Sequence, residues 1–240
     1  MNDKNIFTLE RSKSIGSEES KRRKSFNNDQ VITEKILNEL NQLKRAGSFQ
    51  DPPMSSIRSI KSDQPKNKDF SQKILDEINQ IRKSPPKYAK KLESMMRYIK
   101  QVKKRSIFIF SYPGAEKVSL PTGTKIFLKV VNTLKDTQPL EILTYNEEIK
   151  INVDKNNIDQ KKLKEIIADK RKGLRLKYPY FTVNLDIITN PVVSAVMQLV
   201  DDNPFQGQRR DAILNKNFTN FAVTQFQDRT GRNFNLVCFA

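Results

Sequence analysis

Apolar residues recur at helical spacing in two segments that are near copies of each other. The segment "TEKILNELNQLKR" (Thr33–Arg45) is followed 38 residues later by "SQKILDEINQIRK" (Ser71–Lys83). Lys, Ile, Leu, Glu, Asn and Gln recur at matching positions, and most other replacements are conservative. The first residues, Thr33 and Ser71, suit helix N-caps. The pattern predicts a duplicated helix; the alternative is a chance match between two helices rich in Lys and Asn.

The residues after Ser84 alternate between helical and extended patterns. Helices are predicted at 85–102, 124–136, 161–173 and 190–202, and strands at 106–114, 180–188, 221–228 and 233–240. The stretch 139–157 predicts a short strand or loop leading into a helix. Gly173 is expected to close the third helix, and Cys238 to be buried in the last strand. This mixture predicts an α+β or three-layer domain over residues 69–240.

Residues 1–68 differ from the rest of the chain in composition. They are rich in Ser, Asn, Lys and Arg and poor in aromatic residues, with too little apolar content to fold alone. We expect a basic, largely extended tail with one embedded helix at about 33–45, which docks on a partner. The residues expected to contact that partner are Arg22, Arg23, Lys24, Lys44 and Arg45.

A kinase motif lies within this basic tail. The sequence "RRKSF" places two arginines before Ser25 and an apolar residue after it, which is typical of a basophilic-kinase site. A phosphate there would add about −1.5 to −2 charges and weaken contact with an acidic surface. Short motifs of this kind also occur by chance in basic, serine-rich tails.

The composition removes several kinds of chemistry. The chain has no His and one Cys, so Ser/His/Asp and Cys/His mechanisms are excluded, and a zinc site lacks ligands. The formal net charge of +17 favours acidic partners: nucleic acid, an anionic membrane or an acidic protein surface. A solvated, Lys-rich surface without a specific partner is the alternative. No metal or cofactor is expected.

Several motifs resemble the CAP superfamily, the cysteine-rich secretory, antigen 5 and pathogenesis-related fold, in its disulfide-free, SCP-like branch. "ILDEINQIRKSPPKYAKKLE" is similar to the opening helix of the family, and "PLEILTYNEEI" to the segment that leads into the next helix. "TVNLDII", "VMQLVDDNPFQGQRRDAILNKNF" and "LVCFA" follow in the family's order. The resemblance covers about 69–240 and implies a three-layer α-β-α sandwich.

Full members of that family carry two His and two acidic residues in a cleft, where the four can bind a divalent metal. The first His belongs to a loop that is shortened here, between about 156 and 173. The other positions fall on Leu185, on Asp201 or Asp202, and on Gln208 or Arg209. The resemblance therefore implies a degenerate site without catalysis, at which Arg209 and Arg210 would pair with Asp201 or Asp202 on the rim of a cleft.

These observations favour a non-catalytic structural or interaction module of a large intracellular assembly. We expect a cytoplasmic, cytoskeletal protein on a microtubule-based structure such as a ciliary axoneme, because the acidic surface of tubulin suits a basic clamp. The alternative is a peripheral protein that binds anionic membranes or lipid. An RNA-associated protein is less favoured, since no Gly-rich phosphate loop or aromatic RNA-binding strand is present. A residual hydrolase is least favoured.

Overall fold

A computed structural model of the 240-residue chain describes residues 65–102, 107–153, 160–202, 208–228 and 231–240. All described residues belong to one unit of the chain, Ser55–Ala240. The predicted helix at 33–45, the five basic residues assigned to partner binding and the kinase motif at Ser25 lie outside the described residues.

Helices and strands alternate through the described part of the chain. The helices are α1 (Pro65–Lys83), α2 (Pro85–Met95), α3 (Thr124–Asp136), α4 (Gln160–Leu174), α5 (Pro191–Val200) and α6 (Gln208–Leu214). The strands are β1 (Ile99–Gln101), β2 (Phe108–Phe110), β3 (Val118–Leu120), β4 (Thr144–Tyr145), β5 (Thr182–Asp186), β6 (Asn220–Gln227) and β7 (Asn233–Phe239). The mixed α+β class predicted from the sequence is confirmed.

The strands form two small sheets. β1, β2 and β3 make an antiparallel meander, and the larger sheet has the order β4-β6-β7-β5. β4 pairs with β6 in parallel, and the other pairs of the larger sheet are antiparallel. Val237 of β7 lies opposite Val223 of β6 and Asn184 of β5, which fixes the register across three strands.

Apolar side chains are buried on both faces of the larger sheet. Alternate residues of β6 and β7, such as Val223 and Val237, join one large cluster with the apolar faces of α1, α2, α3 and α5. The residues between them point to the opposite face, because side chains alternate along a strand. The buried apolar residues outside the large cluster include Leu163, Ile167, Leu174, Phe181, Val183, Leu185, Ala222, Phe226, Phe234, Leu236 and Cys238.

Three predicted elements are confirmed closely. α3 begins and ends where its sequence pattern does, and its inner side is buried: Ile126, Phe127, Val130, Val131 and Leu134. α5 starts with Pro191, and the side chain of Asn190 caps it by accepting bonds from the backbone N–H groups of Val192 and Val193 at 3.1 Å each. The final hairpin is formed by β6 and β7, in which Cys238 is fully buried.

The predicted helix over 85–102 was wrong in its second half. α2 ends at Met95, a single 3₁₀ turn follows, and Ile99 then begins β1. Ile99 pairs with Phe110 of β2, so antiparallel backbone bonds replace the helical ones. An apolar stripe with helical spacing continues across this boundary, but pairing with a distant strand overrides it.

Two helix ends also differ from the prediction. α1 begins at Pro65, so Ser71 lies inside the helix and is not its N-cap. α4 runs through Gly173 and ends at Leu174, which is buried. A glycine inside a helix is tolerated at a modest cost, and burial of Leu174 favours one more helical residue.

Candidate functional site

The end of α1 is held by a buried arginine. The Arg82 side chain is 0% exposed. Its guanidinium donates hydrogen bonds to four backbone carbonyls, those of Glu141 (2.7 Å), Ile213 (2.7 Å), Asn215 (3.0 Å) and Phe218 (2.9 Å). A planar fork with five N–H groups can bind several acceptors at once, which an ammonium group cannot do as well. Arg82 therefore joins α1 to the segment before β4, to the end of α6 and to the segment that follows α6.

Two further polar residues of α1 make specific contacts. Asn79 forms a two-way pair with Leu143: its amide Nδ2 donates to the Leu143 carbonyl at 2.9 Å, and its Oδ1 accepts from the Leu143 N–H at 2.7 Å. The buried carboxylate of Glu77 accepts bonds from the Tyr88 hydroxyl and the Lys91 ammonium, each at 2.5 Å. Burial and the nearby Glu77 charge raise the pKa of Tyr88 well above its ordinary value. These contacts join α1 to α2 and to the residue before β4.

A chain of buried polar side chains lies between β5 and α5. We call it the Asp186 cluster; it consists of Asp186, Ser194, Gln198 and Asn184, all less than 5% exposed. The Ser194 hydroxyl donates to Asp186, Gln198 Nε2 donates to Ser194 Oγ at 3.4 Å, and Asn184 Nδ2 donates to Gln198 Oε1 at 3.3 Å. Every member is linked to the next, as buried polar groups require.

Burial disfavours the charged form of the Asp186 carboxyl group. Burial raises its pKa above the ordinary value, and this effect exceeds the lowering by the Ser194 hydrogen bond and by the charge of Arg209. Asp186 Oδ1 also accepts a bond from the Ile188 N–H at 3.1 Å. Asn235 donates to the Ile188 carbonyl at 2.7 Å. The cluster thus fixes the loop between β5 and α5.

The acidic pair at the end of α5 separates into two roles. Asp201 is 1% exposed and stands in the left-handed region, with φ 49°, where it ends α5. Its Oδ2 accepts a bond from the backbone N–H of Arg209 at 2.9 Å, and its Oδ1 lies 4.0 Å from the side-chain Nε of Arg209. Asp202 instead accepts two bonds from Thr122, from the N–H at 3.0 Å and from the hydroxyl at 2.6 Å.

The structure places the other predicted site residues in different surroundings. Gln208 is exposed at the start of α6, and Leu185 is fully buried within β5. Leu185 points to the sheet face opposite Asp186, because the two are neighbours in a strand. The expected pairing of Arg210 with Asp201 or Asp202 was wrong: Arg210 is buried and its Nη1 donates to the Val200 carbonyl at 3.4 Å.

The geometry of these groups limits what they can do chemically. Among the described residues, no three or more of His, Cys, Asp and Glu gather as they would around a metal ion. Ser194 and Asp186 are bonded like a nucleophile and a base, but they are 0% and 4% exposed, so both groups are closed off from solvent. Both the Asp186 cluster and the Asp201–Arg209 contact are suited to holding structure.

The exposed side of α4 is strongly basic, whereas most of the groups described so far are buried. From 161 to 177 there are eight basic and two acidic residues, a net +6. Leu163, Ile167 and Leu174 form the buried stripe, and Lys161 and Lys172 lie on the other side of the helix. We define the α4 basic surface by its exposed members, which are Lys161, Lys162, Lys172, Arg175, Leu176, Lys177 and Tyr180.

The loop after α4 adds apolar groups to these charges. Leu176 is 100% exposed and Tyr180 is 56% exposed. Lys177 binds Glu148, which lies after β4, and so fixes one end of the loop. Glu148 has a pKa below its ordinary value chiefly because of this bond, and the pKa of Lys177 is raised by it. Leu176 therefore lies in solvent between two basic residues, Arg175 and Lys177.

Comparison with known proteins gives no relatives. No family model, no curated protein and no solved structure matches the chain. Within the part of the chain that the structure describes, none of the helices has the length and apolar character needed to span a bilayer.

Proposed function

We propose that this protein is a non-catalytic interaction module that binds an acidic protein surface within a large intracellular assembly. The observation that carries the proposal is the α4 basic surface. Its basic groups point outward, on the side of the helix opposite the buried stripe. Outward charges of one sign steer association with a surface of the opposite sign. The basic residues of 1–68 would add to the same attraction.

The favoured partner is the acidic surface of tubulin, in a microtubule or a ciliary axoneme. An exposed ion pair gains only about 0–1 kcal/mol, so binding requires many such contacts at once. A regular polymer with repeated acidic patches supplies them. The contact would weaken with salt, since the Debye length falls from about 10 Å at 0.1 M to about 3 Å at 1 M.

We also propose that the described domain has a CAP-type, three-layer arrangement with a lost cleft site. Buried apolar residues on both faces of the larger sheet, with α1 and α5 on one face, support this architecture. The buried stripe of α4, formed by Leu163, Ile167 and Leu174, would pack on the other face as the third layer. In that reading Asp186 and Asp201 lie near the family's acidic positions, and the basic Arg209 contacts Asp201, where it would repel a metal ion.

The test is co-sedimentation of the full chain with microtubules over a salt series. The variant carries Lys161→Glu, Lys172→Glu and Arg175→Glu, and the matched control carries Lys87→Glu, Lys90→Glu and Lys125→Glu on α2 and α3. Both variants change the net charge equally. We expect at least a tenfold loss of affinity for the α4 variant only, and near-normal binding by the control. Equal losses of microtubule affinity in the two variants would show that binding depends on net charge alone and not on the α4 basic surface.

A second candidate function is binding to an anionic membrane, favoured by the exposed Leu176 and Tyr180. A leucine and a tyrosine beside several basic groups match the way peripheral proteins insert apolar residues below lipid headgroups. The test is flotation with phosphatidylserine vesicles and with phosphatidylcholine vesicles. If the protein binds membranes, Leu176→Ser lowers vesicle binding and leaves microtubule binding unchanged. If Leu176→Ser leaves vesicle binding unchanged and lowers microtubule binding, the partner is an acidic protein.

A further inference from the structure

Two polar residues next to β4 bind the loop that follows α4. Asn146 Nδ2 donates to the Tyr178 hydroxyl at 2.8 Å and to Asn220 Oδ1 at 2.9 Å. The Tyr178 hydroxyl in turn donates to Glu148 Oε2 at 3.1 Å, and the Lys177 ammonium donates to the same oxygen. One carboxylate therefore binds two neighbouring residues of the loop.

The carboxylate of Glu148 projects from a backbone that is itself fixed. Asn146 caps the 3₁₀ turn Glu147–Ile149, and its Oδ1 accepts a bond from the Glu148 backbone N–H at 2.9 Å. The backbone N–H of Asn146 donates to the Phe221 carbonyl of β6 at 2.9 Å, and Ile149 is fully buried. The turn is thus bonded to the larger sheet, so it can serve as a support for the loop.

The loop after α4 is also held at its two ends. The Lys177 and Tyr178 backbone N–H groups donate to the Leu174 carbonyl at 3.1 and 2.7 Å, which continues the last turn of α4. At the far end Phe181 is buried, and its carbonyl accepts a bond from Arg171 Nη2 at 3.3 Å. The side-chain bonds to Glu148 act between these ends. That middle part carries the exposed members Leu176, Lys177 and Tyr180 of the α4 basic surface.

We infer that Glu148 is a positioning residue of the α4 basic surface: by binding Lys177 and Tyr178, it holds Leu176 where it contacts the acidic partner. Because Glu148 acts on the α4 basic surface, this role rests on the proposed function. A loop that is ordered beforehand loses less conformational entropy on binding, which increases its affinity. An acidic residue would in this way strengthen binding to an acidic partner, although its own charge opposes that binding.

These two effects of Glu148 have opposite signs, and one substitution separates them. Glu148→Gln removes a negative charge, so the long-range attraction to an acidic surface should increase. It also replaces a charged acceptor by a neutral amide, which binds an ammonium group less strongly. The matched control is Glu93→Gln. Glu93 binds Lys135 at 2.7 Å in a similarly exposed ion pair that joins α2 to α3, away from this loop in the sequence.

The binding experiment is co-sedimentation of the full chain with microtubules at one fixed salt concentration. We expect Glu148→Gln to lower the affinity about threefold or more, and Glu93→Gln to leave it equal or slightly higher. Tyr178→Phe keeps the net charge and should also lower the affinity. In a chain that carries Leu176→Ser, Glu148→Gln should have little further effect, because the side chain that it positions is gone. An unchanged or higher affinity of Glu148→Gln, or an equal loss with and without Leu176→Ser, would overturn the inference.

Hydrogen exchange of the full chain tests the positioning step without a partner. Peptides that cover 175–181 should exchange about threefold faster in Glu148→Gln and in Tyr178→Phe, and at the wild-type rate in Glu93→Gln. Wild-type exchange rates in the first two variants would refute the role of Glu148. If the wild-type chain does not sediment with microtubules, the proposed function fails and takes the binding role with it. The exchange rates then still decide whether Glu148 holds the loop.

Discussion

The two helices α1 and α4 are both rich in Lys and Arg, and the structure uses their charges in opposite ways. In α1 the charge of Arg82 is buried and surrounded by backbone carbonyls. In α4 the basic side chains of Lys161 and Lys172 are exposed, and its buried residues are apolar. A basic residue therefore says little by itself about partner binding.

What distinguishes the two helices is the number of acceptors that the fold supplies. A buried guanidinium is retained only when its N–H groups are satisfied, and four carbonyls do this for Arg82. The basic side chains on the outer side of α4 are in contact with solvent and can exchange water for an acidic surface. Stability should thus depend on the α1 charge, and binding on the α4 charges.

The largest expected effect is at Arg82. Replacing it by Met keeps much of the volume but leaves four carbonyls without their shared donor. We expect a loss of about 3 kcal/mol or more in the free energy of unfolding, measured by urea denaturation. The neighbour Lys83 is exposed, and Lys83→Met is the matched control with a change within about 0.5 kcal/mol. Similar losses for both would contradict the structural role of the guanidinium.

A pair of leucines tests the two sides of α4. Leu174 is 7% exposed and Leu176 is 100% exposed. Leu174→Ala should cost about 2–5 kcal/mol by removing buried methyl groups and leaving a cavity. Leu176→Ala should change stability by less than about 0.5 kcal/mol. Thermal or urea unfolding of the two variants checks this, and a large loss in Leu176→Ala would show that the loop after α4 is packed.

The Asp186 cluster should give a smaller, pH-dependent effect. The folded-state pKa of Asp186 is raised by burial, so its stabilising contribution is complete below the unfolded pKa and is lost as the pH rises through the folded pKa. Asp186→Asn cannot ionise. The stability of the native protein relative to Asp186→Asn should therefore increase as the pH falls from 7 to 4. Urea midpoints at several pH values measure it; a constant difference would place the Asp186 pKa near its ordinary value.

The smallest effect concerns Cys238. Burial raises its pKa to about 12, so almost no thiolate exists at neutral pH. We expect no reaction of the folded protein with a thiol reagent such as iodoacetamide over an hour, and complete reaction in urea. Mass spectrometry of the intact chain gives the readout. Rapid labelling without denaturant would mean that β7 opens locally.

The parts of the fold that the sequence predicts well are those with one consistent local pattern. α5 has Pro191 at its start, Asn190 as its cap and an apolar interior. β6 and β7 are two mainly apolar strands joined by a polar turn. The helix over 85–102 failed because the pairing of Ile99 with Phe110 depends on a distant strand. No local signal reports such a pairing.

The site was harder to predict because its contacts are long-range. In the sequence, Arg82 is an ordinary basic residue in the last turn of a predicted helix, where a positive charge suits the helix dipole. Only the folded chain brings it to carbonyls more than 130 residues later. For Asp186 a signal did exist: Asn184 and Asp186 alternate with Val183 and Leu185, so strand periodicity puts both polar residues on one face. The family resemblance put a site position on Leu185, which points to the opposite face of β5.

The four bonds of Arg82 also impose an order on events during synthesis. Their acceptors lie 59, 131, 133 and 136 residues farther along the chain. A ribosome adding about 5–20 residues per second needs roughly 10 s to make the last of them after α1. During that interval α1 has been made, but the carbonyl groups of Ile213, Asn215 and Phe218 that accept from Arg82 have not. All four bonds of Arg82 can form only after Phe218 has been made, and a slow codon before that point would lengthen the interval.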